Sequence, residues 1–228
     1  MIRVLFQGDS ITDGNRFRDE EMRWDLNHQI GHSYAYIIAA ELGKRYPGKY
    51  HFINRGVASD CVNRAKLRWQ KDTIDEHPDV LSILLGINGN GRRDGVYPMG
   101  IEAHLAQFDA TYRELLTMSK EANPDIKIVL IEPFCLPVGE CKPHYDAFMK
   151  VFSRKQRIIE KIADDFDAVF IPTQERLNNL VSESRRIFTD NGCDIDPNAY
   201  WVWDGVHPTE AFQGYLAELW LDATKDII

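Results

Sequence analysis

Apolar residues fall into two alternating patterns along this chain: short runs rich in β-branched and aromatic side chains, and longer stretches where they recur every three or four positions. The short runs are Ile2 to Phe6, His51 to Asn54, Val80 to Leu85, Ile126 to Ile131 and Val169 to Ile171, each predicted to be a strand. Val80 to Leu85 has the near-continuous apolar character of a strand buried on both faces. The periodic stretches predict helices over Ser33 to Arg45, Val62 to Glu76, Ile101 to Ala122, Tyr145 to Asp164 and Glu210 to Ile227, the last entered through Pro208, whose fixed φ suits a helix start. Strands alternating with helices predict the α/β class, a parallel sheet covered by helices. Neither an internal repeat nor a low-complexity linker interrupts the pattern.

One segment does not fit either pattern. Asp13 to Ile30 is long, charged and aperiodic, and it follows the first strand. Loops of that length in compact domains tend to carry function, and in open parallel sheets ligands bind beyond the carboxyl ends of the strands. Residues that carry chemistry are therefore expected at the strand ends.

Gly8-Asp9-Ser10-Ile11-Thr12 stands where the first strand ends, and a serine at such a turn can project its hydroxyl into the crevice. Gly8 would supply the backbone freedom of the turn, and Asp9 reads as a structural turn residue. An Asp-Ser turn or helix cap would look the same. A serine hydroxyl becomes a useful nucleophile only when a base takes its proton and a third group orients that base. Asp204-Gly205-Val206-His207-Pro208-Thr209 offers both, because a carboxylate three residues before a histidine can fold back onto Nδ1 and leave Nε2 facing the serine. Its bland counterpart is a capping aspartate beside a surface histidine.

Acyl transfer also needs donors aimed at the developing oxyanion. Asn54-Arg55-Gly56 ends the second strand, where Gly56 could present a bare N–H. Gly86-Ile87-Asn88 ends the third, where Asn88 could offer its amide. Each could equally be an ordinary turn.

Four segments carrying such residues in the order Gly-Asp-Ser, Asn-x-Gly, Gly-x-Asn and Asp-x-x-His-Pro resemble the SGNH/GDSL hydrolase superfamily, from Gly8 to Thr209. Gly-Asp-Ser-Ile-Thr-Asp, Gly31-His32-Ser33-Tyr34, Asn-Arg-Gly, Leu-Leu-Gly-Ile-Asn and Trp203-Asp-Gly-Val-His-Pro are most similar to bacterial carbohydrate acetylesterases of the acetylxylan-esterase type. The resemblance implies one hydrolase domain over residues 1–228, a three-layer α/β/α flavodoxin-like fold on a five-stranded parallel sheet, and no metal or other cofactor. It implies Ser10 as nucleophile, His207 as base, Asp204 as its orienting partner, and an oxyanion hole from the Ser10 and Gly56 N–H groups with Asn88. Two positions depart from the pattern: relatives usually have Asp where Gly89 stands, and Gly where Ser59 stands.

Composition narrows the substrate. With 27 Lys and Arg against 35 Asp and Glu, the net charge of −8 provides no basic footprint for nucleic acid or an anionic membrane surface. A neutral or weakly charged acylated small molecule, an acetylated sugar under the resemblance, fits better. The chain opens directly on a strand-like segment without the pattern of a secretion signal, and the cysteines Cys61, Cys135, Cys141 and Cys193 form no Cys-x-x-Cys pair; a cytoplasmic protein with free thiols is the expectation. Assembly into a homo-oligomer is left open. Trp201 is expected in the core. Trp203 is either core or an aromatic face for a sugar ring, and Arg92 and Arg93 would line the rim as solvated charges.

Other readings are weaker. His28 and His32 have the i, i+4 spacing of a zinc helix, but Gln29 cannot serve as the general base expected after the first histidine, and Gly31 disfavours a helix. Asp190 to Asp196 is acidic, but Ile195 stands where a calcium loop needs its turn glycine. A binding module on the same fold would need no intact Ser10, Asp204 and His207. A lipase, lysophospholipase or thioesterase remains the alternative enzyme.

Overall fold

The computed structural model describes residues 1–18, 29–89 and 96–228. Five strands, β1 (Ile2–Gly8), β2 (Tyr50–Asn54), β3 (Val80–Leu84), β4 (Lys127–Ile131) and β5 (Val169–Ile171), form one parallel sheet in the order β2-β1-β3-β4-β5. The helices among the described residues are α1 (Ser10–Asp13), α2 (Tyr34–Arg45), α3 (Val62–Trp69), α4 (Ile101–Ala122), α5 (Tyr145–Asp165), α6 (Gln174–Asp190), α7 (Pro197–Trp201) and α8 (Glu210–Thr224).

Alternation along each strand divides the core into two faces. Val4 and Phe6 point with Val129 and Ile131 toward α2, α6 and α8, where Ile38, Leu177, Phe212 and Trp220 close one layer. Leu5, Leu81 and Ile83 point the other way, against Trp69 of α3, Leu115 of α4 and Ile162 of α5. This is the α/β/α sandwich. The indoles at its centre keep their N–H groups satisfied: Trp220 donates to Ser82 Oγ at 3.0 Å and Trp69 to Ser119 Oγ at 3.1 Å. The strand order places β1 and β3 at the point where connections diverge to opposite sides of the sheet, which opens a crevice at their carboxyl ends.

The expected helix over Val62 to Glu76 changes character at Trp69. Gln70–Ile74 is a wide π turn, closed by the Asp75 N–H on Gln70 O at 2.9 Å. Buried Gln7 of β1 donates to Asp72 O at 3.0 Å and Thr73 Oγ1 at 2.7 Å, drawing this turn onto the sheet. The final helix ends at Thr224, short of Ile227. Helix α6 was not expected: its buried residues Leu177, Val181 and Ser184 recur at helical spacing, but they are few among charged neighbours.

Candidate active site

Ser10 opens the single turn of α1, directly after β1. Asp9, fully buried, caps that turn by accepting the Ile11 N–H on Oδ1 at 3.0 Å. Gly8 does not supply a left-handed turn. A β-carbon there would stand 2.1 Å from Thr12 Oγ1, so the glycine permits α1 to fold tightly against the strand end. Thr12 is held in turn: its O accepts from Ser33 Oγ at 2.9 Å and Asn54 Nδ2 at 2.6 Å, and its Oγ1 lies 3.0 Å from the buried Tyr34 hydroxyl. Burial pushes the Tyr34 hydroxyl upward, well out of the titrating range at neutral pH.

His207 arrives from the far end of the chain. Val202 bridges Pro208, and the Trp203 N–H donates to His207 O at 3.1 Å, so residues 203–207 form a closed loop ahead of α8. At its tip Asp204 Oδ1 accepts the N–H of Val206 at 3.0 Å and of His207 at 2.8 Å, while Oδ2 meets His207 Nδ1 at 2.6 Å. His207 Nε2 then lies 2.7 Å from Ser10 Oγ. Burial raises the Asp204 carboxyl, but the hydrogen bonds from the His207 side chain and from the His207 and Val206 N–H groups outweigh it, bringing the pKa to about 2. The carboxylate is therefore ionised wherever the protein is folded at ordinary pH.

The expected oxyanion donors divide. The Ser10 N–H makes no hydrogen bond among the described residues, as expected for the first residue of a helix. Asn88 donates one Nδ2 hydrogen to Asp60 O at 3.1 Å and has a second to offer. Gly56 is a correction: its N–H is not bare but donates to Asn54 Oδ1 at 2.9 Å. Its lack of a side chain serves packing, since a β-carbon would stand 2.5 Å from Asp13 N. In the same loop the Asp60 N–H closes a turn on Val57 O at 3.0 Å, with Ser59 at φ +68°. Ser59 thus takes the left-handed conformation that glycine favours, and its N–H has no partner among the described residues. The departure at position 59, visible in the sequence, was the signal for this second N–H.

Trp203 is 60% exposed and stacks on the His207 ring, centroids 5.7 Å apart at 20°. Trp201 is partly buried against the core and donates to Ser184 Oγ at 2.9 Å. His32 is exposed, while His28, with which it shares the disfavoured zinc-like spacing, lies outside the described residues, as do Arg92 and Arg93. No cluster of three metal-binding side chains occurs among the described residues. Asp190 is the last residue of α6, and Asp196 caps α7 by accepting the Asn198 N–H at 2.8 Å. No helix among the described residues is long and apolar enough to cross a membrane.

A serine hydroxyl, an imidazole and a carboxylate thus stand in one hydrogen-bonded line, with donors unengaged among the described residues on adjoining loops, a geometry suited to ester hydrolysis. Comparison agrees: residues 6–214 match the model of the GDSL-like lipase/acylhydrolase family, and the chain belongs to that family and is a carboxylic ester hydrolase. It is 30% identical over 224 residues to the acetylxylan esterase of Geobacillus stearothermophilus, covering 96% of this chain and 92% of that protein. A solved structure of that esterase superposes with a TM-score of 0.71 at 28% identity, covering 97% and 93% of the two chains. A Parabacteroides merdae protein described as a GDSL-like lipase superposes with a TM-score of 0.80 at 29% identity, covering 98% and 95%.

Proposed function

We propose that this esterase removes acetyl groups from short acetylated carbohydrates, xylo-oligosaccharides in the first instance, through an acyl-serine intermediate formed on Ser10. The observation that carries the reading is the 2.7 Å contact between Ser10 Oγ and a His207 ring already held by Asp204. The extended likeness to an acetylxylan esterase, including a variant described as an acetyl-xylooligosaccharide esterase at 27% identity and a TM-score of 0.75, supports the substrate class.

In the first step His207 Nε2 takes the Ser10 proton as Oγ bonds to the acetyl carbon, and the carbonyl π pair moves onto oxygen. The Ser10 N–H, the free hydrogen of Asn88 and the Ser59 N–H are the donors available to that oxyanion. Collapse breaks the bond to the sugar oxygen, which leaves with the proton from His207. Water repeats the sequence on the acyl-serine and releases acetate. Asp204 keeps the proton of His207 on Nδ1 and stabilises the imidazolium without itself being protonated. The exposed ring of Trp203, beside His207, provides an apolar face for the sugar.

Hydrolysis of peracetylated xylo-oligosaccharides by the wild type and by Ser10→Ala tests the reading. Strong acetyl release lost in Ser10→Ala is the expected result; activity retained in Ser10→Ala overturns the assignment of Ser10. The likeness to a GDSL-like lipase favours a second reading, a hydrolase of longer acyl esters. A nitrophenyl ester series separates the two, a rate rising beyond butyryl being incompatible with the carbohydrate assignment.

A further inference from the structure

Lys155 lies on the inward stripe of α5 with Phe148, Phe152, Ile159 and Ile162, and only 2% of it is exposed. A buried ammonium is normally paired, because leaving water without a counter-charge is costly. Lys155 has no carboxylate and no hydrogen-bond acceptor among the described residues; its Nζ stands 5.2 Å from the centre of the Phe108 ring. Burial pushes its pKa down, but only to about 8, so at neutral pH it remains largely a cation.

Beside it is a second group unsatisfied among the described residues. Buried His104 of α4 has no partner for Nε2 there, and burial, then the nearby Lys155 charge, push its pKa down to about 4. The imidazole is therefore neutral and the ammonium is the charge that this corner carries. Both groups line a pocket of about 150 Å3 formed with Cys61, Asn63, Asn88, Gly89 and Phe108. A β-carbon built on Gly89 would stand 3.9 Å from Lys155 Nζ and 4.0 Å from His104 Cε1, so both face the space in front of that glycine. At φ +113° Gly89 holds a conformation that L side chains rarely adopt, and no side chain of its own fills the space.

We propose that this pocket is a binding site for a small carboxylate anion, held by the Lys155 ammonium with His104 beside it, sharing Asn88 with the esterase centre. Its volume suits a compact anion more than a sugar ring. The carboxylate has two sources under the proposed function, on which this inference rests for its physiological ligand: the acid released by deacylation, or a carboxyl group carried by an acidic sugar of the substrate.

Calorimetric titration of acetate, glucuronate and neutral acetamide into Ser10→Ala tests the site without turnover, so failure of the esterase reading and failure of this one are distinguishable. Acetate binding that weakens about tenfold or more in Ser10→Ala/Lys155→Met, the scale of one lost charge-assisted hydrogen bond, supports the site with released acid as its ligand. Glucuronate binding with the same dependence, and no acetate binding, supports it with the substrate carboxyl as ligand. Removing a buried charge that has no counter-charge among the described residues is expected to leave the fold intact. Independently of that variant, affinity in Ser10→Ala should fall as pH rises through about 8, Cys61 and His104 being the other titratable groups lining the pocket. Unchanged affinity in Lys155→Met, equal affinity for acetamide, pH-independent binding, or no binding of either carboxylate overturns the proposal.

Discussion

Asp204 grips His207 at two points, Oδ2 on the ring Nδ1 at 2.6 Å and Oδ1 on the same residue's backbone N–H at 2.8 Å. The ring is thereby oriented by a carboxylate whose own position is fixed by the backbone of the histidine it serves. Three residues of sequence separation make this closed unit possible, and the long-range element is only its contact with Ser10.

Replacing Asp204 by Asn keeps the backbone hydrogen bond to Oδ1 but places a donor opposite Nδ1, favouring the tautomer with its proton on Nε2. Under the proposed mechanism kcat falls by about 10^3- to 10^4-fold. KM changes little, and steady-state kinetics on an acetyl ester check the split.

The depressed Asp204 pKa has a stability consequence. A carboxyl at about 2 in the folded protein, against an ordinary unfolded value near 4, contributes stability that is present above pH about 4 and is lost as pH falls through about 2. The melting temperatures of wild type and Asp204→Asn should therefore differ most at mildly acidic to neutral pH and converge toward pH 2. Thermal melts across that interval check it, and a gap that widens on acidification contradicts it.

Ser59 holds φ +68° with an exposed side chain, a conformation costing a non-glycine residue about 1–2 kcal/mol, partly offset by the greater unfolded-state entropy of glycine. Ser59→Gly is expected to stabilise the protein by about 0.5–1 kcal/mol in denaturant unfolding. It retains the N–H, so esterase activity is expected to stay within a few fold; loss of activity would show that the hydroxyl, not the N–H, matters.

Trp203 is exposed on one side and stacked on His207 on the other. If its open face receives sugar, Trp203→Ala lowers kcat/KM for acetylated xylo-oligosaccharides by about tenfold, the worth of one well-placed aromatic contact. The same variant should change hydrolysis of nitrophenyl acetate much less. Parallel losses on both substrates would instead assign the indole to holding His207.

The alternation of strand-like and helix-like periods was enough to anticipate all five strands and the five longer helices whose apolar stripes are dense. Helix α6 was missed because Leu177 and Val181 are too sparse among charges to register, and the wide turn after Trp69 because its cause, Gln7, lies on another strand. Ser10, Asn88, Asp204 and His207 were legible because their types and order are local properties of strand ends and loops.

What could not be read is anything set by which groups meet across the fold. Whether the Gly56 N–H was bare depended on the rotamer of Asn54, whose Nδ2 is held by Thr12 O and Ile30 O from another segment, and the Ser59 N–H lacks a partner among the described residues because the local turn is closed by the Asp60 N–H on Val57 O. Lys155 interrupts an apolar stripe in the sequence, yet its lack of a counter-charge among the described residues appears only when α3, α4 and α5 are packed together. By itself the sequence determined the elements, their order and the local Asp204–His207 unit, because these rest on short-range periodicity and spacing. Only the tertiary structure decided which polar atoms meet, since hydrogen-bond satisfaction depends on distances of about 3 Å between segments far apart in the chain.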